Sequence, residues 1–318
     1  MRSLMKRKSY GMKIAILGGA GATGAVIGAP LARYGLDVTL VDNNQTAVDA
    51  INANGLQITE KSGAVACLPV RATSDPTTVG PVDLVVVLVK CYQTVEAVRS
   101  ALPLIGPQTV VLSLQNGWGN ADAIASVVAS NQVLAGVTYH SATTLAPGQI
   151  RHTGQGETLL GEPTGELSPR VQRIVDCFNT AGVPTTASAD IRTTIWEKLA
   201  LNCAVLPTAA LLRFQTHLLG EHEPACTLMQ ALLQETIAVA QAQQIPLDFD
   251  ECWGAVRSLT QRAIGAKPSM LQDVDARRRT EIDVINGAVV AAGHRFGIAT
   301  PHNQTMVWMV KSLEATFM

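Results

Sequence analysis

The stretch that most restricts how this chain folds is a glycine-rich turn directly after a short apolar strand. Residues 14–17 are apolar, and Gly18, Gly19, Gly21 and Gly24 follow them. Glycines at this spacing are typical of a dinucleotide-binding turn, because they permit a tight bend, a close approach of backbone N–H groups to a pyrophosphate and close packing of the next helix. The N-terminus of that helix then faces the phosphates.

Two registers of the turn fit this motif. One is G-x-G-x-x-G beginning at Gly19, and the other is G-x-x-G-x-x-G beginning at Gly18. The alternative to both is a purely structural glycine turn in an α/β protein. The first register predicts which turn residues bind the cofactor. They are Gly19, Gly21, Ala22, Thr23 and Gly24.

An acidic residue ends the next predicted strand. Residues 37–42 are typical of a strand, and Asp42 lies 18 residues after Gly24. At this distance a carboxylate is expected to accept hydrogen bonds from the adenosine ribose of the cofactor. No Lys or Arg occurs between Val41 and Glu60, so a 2′-phosphate would lack a compensating cation there. We therefore expect NAD(H) to be preferred over NADP(H).

Strand-like and helix-like segments alternate in the first part of the chain, and long helices fill the rest. Strand-like runs occur at 13–18, 37–42, 83–89 and 109–114, with shorter ones at 56–59 and 64–70 and further ones within 133–161. Helical spacing dominates near 191–212, 222–244, 248–264, 270–296 and 303–316. The alternation favours right-handed βαβ units in a mostly parallel sheet.

This pattern predicts an α/β protein with a Rossmann-type N-terminal dinucleotide-binding domain followed by an all-α C-terminal domain. The first domain is expected over 12–188, and the helical domain, which would bind substrate and mediate dimerisation, over 189–318. Residues 1–11 carry four basic side chains and no apolar segment. We therefore expect a disordered basic extension there and no secretory signal.

Composition argues against several classes of partner. The formal net charge is -1, which leaves no basic surface for nucleic acid. No run reaches the roughly 18 uninterrupted apolar residues of a membrane span. The six cysteines show no C-x-x-C pair and the six histidines no i, i+4 pair. We therefore expect reduced thiols, no metal site and a cytoplasmic location.

A lysine and an asparagine share one face of a predicted helix. Lys198 and Asn202 are four residues apart, so an amine and an amide point the same way. The alternative is a solvated lysine on an amphipathic helix. Apolar residues surround the pair on nearly every side of this helix, however, and a polar pair on a buried helix needs partners or a function.

A second polar set lies about 70–80 residues further along the chain. Ser269 and Gln272 match a helix-capping box, and Asp273, Arg277 and Glu281 match an intrahelical salt-bridge ladder. Both are structural alternatives. The functional interpretation places Glu281 beside Lys198, where its charge would favour the protonated amine.

Two further polar residues follow predicted strands. Lys90 comes after the strand at 83–89, and Asn116 after the strand at 109–114. Ligands of open α/β sheets bind at the carboxyl ends of the strands, so both positions are candidates for the cofactor site. The alternatives are a surface charge for Lys90 and an ordinary turn for Asn116 with Gly117.

Taken in order, these blocks resemble the ketopantoate reductase family from residue 12 to about residue 311. The blocks are the glycine turn, Val89-Lys90, Gln115-Asn116-Gly117, Trp196-Glu197-Lys198-Leu199 with Asn202, and Ser269-Met270-Leu271-Gln272-Asp273 followed by Thr280-Glu281-Ile282-Asp283.

The resemblance implies roles for these residues in reducing a 2-oxo acid. Lys198 would be the general acid and Glu281 its support, while Asn202 and Ser269 would hold the substrate. Lys90 and Asn116 would lie between nicotinamide and substrate, and Asn116 would contact both. The expected partners are a small 2-oxo acid and a second copy of the chain.

Three features depart from the family pattern. Members that reduce ketopantoate often have a second asparagine eight residues after the lysine, where this chain has Leu206. The glycine turn has one extra residue, and Asn43-Asn44 stand where NADPH-using members have an arginine. We expect Leu206 to contact the substrate and to favour a more apolar 2-oxo acid.

Three functions therefore remain open. The first is reduction of 2-dehydropantoate (ketopantoate) to pantoate, with Lys198 as proton donor. The second is an NAD-dependent D-2-hydroxyacid dehydrogenase for bulky apolar substrates. The third is a non-catalytic NAD(P)-sensing protein. A short-chain dehydrogenase is excluded because no tyrosine has a lysine four residues later.

Overall fold

A computed structural model describes residues 11–318, and the chain forms two compact units. The N-terminal unit runs to Leu114 and resumes over Ile124–Ala189, and the helical unit contains Gln115–Ala123 and Asp190–Met318. The sequence predicted one boundary at 188/189. It did not anticipate that residues 115–123 belong to the helical unit. Of the predicted extension, residues 1–10 lie outside the described part.

The described residues of the N-terminal unit form twelve strands. They are β1 (Lys13–Leu17), β2 (Asp37–Val41), β3 (Leu56–Thr59), β4 (Val65–Leu68), β5 (Arg71–Thr73), β6 (Leu84–Val87), β7 (Val110–Ser113), β8 (Val133–Thr138), β9 (Ser141–Ala146), β10 (Gln149–Gly154), β11 (Thr158–Gly161) and β12 (Thr185–Ala187). Its helices are α1 (Ala22–Tyr34), α2 (Gln45–Asn54), α3 (Thr94–Ser100) and α5 (Pro169–Thr180), and α4 (Asn120–Ala125) crosses the division.

The main sheet has the order β12-β11-β8-β7-β6-β1-β2-β5. Six of its strands run parallel, and β11 and β12 run antiparallel to them. All four residues of β6 are buried, as expected of a central strand covered on both faces. The strands predicted near 56–59, 64–70 and 133–161 are present, and four of them form a second sheet, β4-β3-β10-β9. The predicted α/β fold class is confirmed.

The C-terminal unit is helical. Its α-helices are α6 (Ile191–Leu212), α7 (Thr216–Glu221), α8 (Glu223–Ala242), α9 (Phe249–Arg262), α10 (Ser269–Asp275), α11 (Asn286–Phe296) and α12 (Pro301–Glu314). Helix α6 packs against α8, α9, α10 and α12. By length and hydropathy α6 is apolar enough to cross a membrane, but 67% of its most apolar stretch is buried inside the protein, as in a core helix.

The prediction of one helix over 270–296 is wrong. Helix α10 stops at Asp275 because Arg277 adopts a left-handed conformation with φ 53°. The N–H of Arg278 bonds to the carbonyl of Asp273, and the N–H of Arg277 to that of Val274, which is the Schellman arrangement that ends helices. A 3₁₀ turn at Ile282–Val284 then leads into α11.

The intrahelical salt-bridge ladder is therefore absent as well. Asp273 and Glu281 do not share a helix with Arg277. Asp273 instead forms an ion pair with Arg278 at 3.1 Å. The capping box is also wrong: Pro268 is the N-cap of α10, and the Gln272 side chain donates to the carbonyl of Lys267.

Gly24 allows α1 to begin against the glycine turn. A Cβ at residue 24 would lie 2.3 Å from the carbonyl oxygen of Gly18. We expect Gly24→Ala to lower the free energy of unfolding by about 1–3 kcal/mol through overpacking. Gly254 is the control, because it is also helical and a Cβ there meets nothing within 4 Å. Gly254→Ala should stabilise by up to about 1 kcal/mol.

Urea unfolding of both variants tests this difference. Equal stability changes at residues 24 and 254 would contradict the close packing of α1 on the turn.

Candidate active site

The glycine turn is closed by backbone hydrogen bonds to the end of β2. The N–H groups of Gly18 and Gly19 both donate to the carbonyl of Val41, and the N–H of Gly21 donates to Gly18. Gly18 has φ +77°, and a Cβ on it would lie 2.9 Å from the backbone of Leu88. The N–H groups of Gly19 and Gly21 are thus used inside the turn, where these glycines shape the backbone.

The first turn of α1 leaves backbone donors available. The first intrahelical bond of α1 is donated by Ala25 to Gly21. Within residues 11–318, the N–H groups of Ala22, Thr23 and Gly24 form no hydrogen bond. Unpaired N–H groups at a helix N-terminus bind anions such as phosphates. This part of the turn therefore fits the pyrophosphate of a dinucleotide.

Asp42 lies beside the glycine turn at the carboxyl end of β2. Its carboxylate accepts hydrogen bonds from the N–H of Ala20 at 3.1 Å and from the N–H of Asn44 at 3.0 Å. Each carboxylate oxygen has a second acceptor position, so these bonds leave capacity for ribose hydroxyls. The role of Asp42 toward the ribose stays a prediction.

Lys90 directly follows the β6 region, at the carboxyl end of the main sheet. It is half-buried and precedes a 3₁₀ turn at Cys91–Gln93. Its position within the N-terminal unit agrees with the sequence interpretation, and its role stays a prediction.

Lys198 lies on α6, the core helix of the helical unit. Burial lowers the pKa of its ammonium group from the usual range to about 8, and the nearby Glu281 carboxylate partly opposes this change. A buried amine loses hydration in its charged form, whereas an opposite charge stabilises that form. Lys198 therefore titrates close to neutral pH, which suits a general acid or base.

Glu281 is held at the break between α10 and α11. It is 7% exposed and is the N-cap of the 3₁₀ turn Ile282–Val284. The preceding residue, Thr280, is anchored by a 2.6 Å bond from its N–H to the carboxylate of Glu314. The break between the helices thus positions Glu281. The intrahelical salt-bridge ladder predicted as an alternative plays no part in this.

Two polar side chains of this unit have unused hydrogen-bonding capacity. Asn202 is 6% exposed, and Ser269 is half-buried at the start of α10. Neither side chain forms a hydrogen bond with another residue in the described range. A buried amide without partners is costly, so Asn202 is suited to receive a ligand. Leu206, one turn further along α6, is 7% exposed.

The loop after β7 joins this group of residues. Asn116 is half-buried there, and the next residue, Gly117, has φ +89°. A Cβ on Gly117 would lie 2.5 Å from Val284. The N–H of Trp118 donates to the carbonyl of Val284 at 2.9 Å. The loop carrying Asn116 therefore packs on the turn that follows Glu281.

Trp118 also contacts α6. Its ring centroid is 5.6 Å from that of Trp196, two residues before Lys198. Neither Trp118 nor Val284 was predicted from the sequence to belong to the site. The signal was the Asn116-Gly117 pair, interpreted as an ordinary turn, whose glycine is required by the close approach of Val284.

Residues 11–318 contain no group of three or more His, Cys, Asp or Glu side chains placed to share a metal ion. All six cysteines carry free thiols. The candidate site residues described above supply an amine, a carboxylate, amides and a hydroxyl group.

Two family models match the chain. The model described as Ketopantoate reductase PanE/ApbA matches residues 14–165, and that described as Ketopantoate reductase PanE/ApbA C terminal matches residues 190–314. A 2-dehydropantoate 2-reductase of Halobacterium salinarum is 31% identical over 299 residues, which cover 93% of this chain and 97% of that protein.

Solved structures show the same likeness. A PanE/ApbA family ketopantoate reductase from Ralstonia eutropha JMP134 is 33% identical with a TM-score of 0.87, covering 96% of this chain and 99% of that one. A D-mandelate dehydrogenase solved with NADH and anilino(oxo)acetate is 29% identical with a TM-score of 0.91 and the same coverage.

Glu281 should control the pH range in which Lys198 is protonated. Glu281→Gln removes the charge that raises the pKa of Lys198, so this pKa should fall below about 8. Carbonyl reduction needs the protonated amine, so its rate at high pH should decline about one pH unit earlier than in the unmodified protein. The measurement is kcat/KM for a 2-oxo acid as a function of pH.

Asp275→Asn is the matched control, since Asp275 lies in the same unit and pairs with Arg213 and Lys267. Its pH profile should stay unchanged. An unmoved profile in Glu281→Gln would show that this carboxylate does not act on the acid.

Proposed function

The chain belongs to the ketopantoate reductase family, and we propose that it reduces a branched 2-oxo acid, 2-dehydropantoate (ketopantoate), to the 2-hydroxy acid pantoate. Membership makes it a nicotinamide-dependent oxidoreductase that acts on a CH–OH group. The observation that carries the proposal is Lys198 on α6, whose pKa burial lowers to about 8 although the nearby Glu281 carboxylate raises it.

The reaction assigned to these residues is a proton transfer coupled to carbonyl reduction. The reduced nicotinamide, when bound, supplies the hydride. Lys198 donates its Nζ proton to the alkoxide oxygen that forms at C2, and the Glu281 charge favours the ammonium before transfer. After donation Lys198 is neutral, a state that its burial tolerates.

The neutral groups bind and orient the substrate. The Asn202 amide lies one turn beyond Lys198 on α6 and offers two N–H donors to a substrate carboxylate or hydroxyl. Ser269 and Asn116 supply further polar contacts. Because these groups carry no charge, they hold the substrate without adding a charge that would shift the pKa of Lys198.

The cofactor proposed is NADH, bound at the start of α1. The unpaired N–H groups of Ala22, Thr23 and Gly24 would hold the pyrophosphate, and Asp42 the ribose. We further propose a cytoplasmic homodimer that needs no metal.

A second candidate substrate is a bulky apolar 2-oxo acid. Leu206 places an apolar side chain one turn after Asn202, where ketopantoate reducers often have an amide. The likeness to D-mandelate dehydrogenase, solved with an aromatic oxo acid analogue, also supports this candidate. A non-catalytic NAD(P)-sensing role would not need the Lys198–Glu281 pair.

Lys198→Ala tests the proposed reaction. The variant should lose about 10²–10⁴ of the reduction rate while binding NADH as before, because the amine acts on the carbonyl. Lys61→Ala, at an exposed lysine, is the control. Spectrophotometric turnover of ketopantoate and fluorescence titration of NADH give the two quantities. Retention of more than about half the activity would rule out Lys198 as the acid.

Asp42 should set the cofactor preference. A 2′-phosphate near this carboxylate costs about 1–4 kcal/mol, so kcat/KM should favour NADH over NADPH at least about tenfold. Arg33 does not compensate, because it lies in the last turn of α1, about 15–20 Å along the helix from the glycine turn. Arg71 does not compensate either, because its guanidinium donates to the carbonyl of Thr78.

Asp42→Ala should narrow the gap between the two cofactors. Equal efficiency with both cofactors, or a preference for NADPH, in the unmodified protein would overturn the assignment of Asp42 to the ribose.

Leu206→Asn distinguishes the two substrate classes. Ketopantoate and 3,3-dimethyl-2-oxobutanoate differ by one hydroxyl. The kcat/KM for ketopantoate divided by that for the analogue therefore measures how well the protein recognises this hydroxyl. A new amide bond to that hydroxyl, about 1–3 kcal/mol, should raise the ratio by about tenfold. Leu206→Ala removes the side chain without adding a donor and should leave the ratio nearly constant. An equal change in both variants would place the substrate side chain elsewhere.

A further inference from the structure

Helix α6 contains a backbone carbonyl that its own helix cannot satisfy. Pro207 lies inside α6 and has no N–H, so the usual bond from residue 207 to the carbonyl of Cys203 is missing. The side chain of Asn286 replaces it, with Nδ2 donating to the carbonyl oxygen of Cys203 at 3.1 Å. Cys203 and Asn286 are both fully buried.

The orientation of Asn286 is fixed by a chain of acceptors. Asn303 donates through Nδ2 to the carbonyl of Leu232 at 3.1 Å and to the carboxylate of Glu235 at 2.8 Å. Its Oδ1 must therefore face Asn286, whose Nδ2 donates to it at 2.9 Å. The two protons on Nδ2 of Asn286 are thus assigned, one to Asn303 and one to Cys203.

This bond connects the two segments that carry the proposed acid and its carboxylate. Cys203 is five residues after Lys198 on α6, and Asn286 is five residues after Glu281, beyond the 3₁₀ turn. We infer that Asn286 is a positioning residue that holds α6 against the segment of Glu281, so that this carboxylate acts on the Lys198 amine. The consequence for catalysis rests on the proposed function, whereas the effect of Asn286 on the pKa of Lys198 does not.

Several carboxylates on the helices around α6 interact with groups other than Lys198. Among the carboxylates on the helices packed against α6, five have other interactions: Glu235 with His302 and Asn303, Asp273 with Arg278, Asp275 with Arg213 and Lys267, Glu314 with the N–H of Thr280, and Glu251, which together with burial raises the pKa of Glu197. Glu281 is the carboxylate that opposes the effect of burial on Lys198. A change in how α6 meets the Glu281 segment should therefore appear in the titration of Lys198.

Asn286→Ala tests the inference. Loss of the bond should weaken the influence of Glu281 and lower the pKa of Lys198, in the same direction as Glu281→Gln but less. Adding Asn286→Ala to Glu281→Gln should produce no further change, because the carboxylate through which Asn286 acts is already gone. Competitive labelling with an amine reagent, quantified on the Lys198 peptide at a series of pH values, measures this pKa without turnover.

A second pair of variants separates positioning from simple stabilisation. Pro207→Ala restores a backbone N–H for Cys203, so Pro207→Ala with Asn286→Ala should recover part of the lost melting temperature. The pKa of Lys198 should nevertheless stay low, since the link to the Glu281 segment is still missing. Thr208→Val is the control, because it removes a 2.7 Å bond to the carbonyl of Ala204 on the same helix. It should lower the melting temperature and leave the pKa unchanged.

Three results would overturn the inference. They are an unchanged or raised pKa of Lys198 in Asn286→Ala, a full recovery of that pKa on adding Pro207→Ala, or an equal shift in Thr208→Val. Absence of 2-oxo acid reduction by the unmodified protein would refute the proposed function instead, because labelling reports the pKa whether or not the protein turns over substrate.

Discussion

The chemistry proposed for this protein depends on burying the amine of Lys198 beside the Glu281 carboxylate. Burial alone disfavours the ammonium, and the carboxylate restores part of its stability, which leaves the pKa at about 8. An ordinary surface lysine would stay charged throughout the neutral range and would release its proton reluctantly. The apolar character of α6 and the helix break before Glu281 both serve this one balance.

Much of the architecture was predictable from periodicity. The buried strand β6 is a continuous apolar run, and α6 begins and ends at the predicted residues 191 and 212. The glycine turn was also predictable from the sequence. A Cβ at Gly18 or Gly24 would collide with backbone atoms, so the turn requires glycine at these positions. These features are local, so neighbouring residues in the sequence are sufficient to specify them.

What escaped prediction depends on contacts between distant segments. Helical spacing continued through 270–296, but Arg277 in a left-handed conformation ends α10 and frees Glu281 from any helix. The loop carrying Asn116 belongs with the helical unit because Gly117 and Trp118 pack on Val284, more than 160 residues away in the chain. Neither the end of α10 nor the packing of this loop produces a periodic pattern or a residue spacing that can be recognised in a single sequence.

The most direct test of this account is the titration of Lys198 itself. Lysine-selective isotope labelling and NMR, with the resonance assigned by its loss in Lys198→Ala, would give the pKa of the free protein. The account predicts a value near 8. A value close to the 10.5 of an ordinary lysine would contradict it, because Lys198 would then be neither desolvated nor suited to donate a proton at neutral pH.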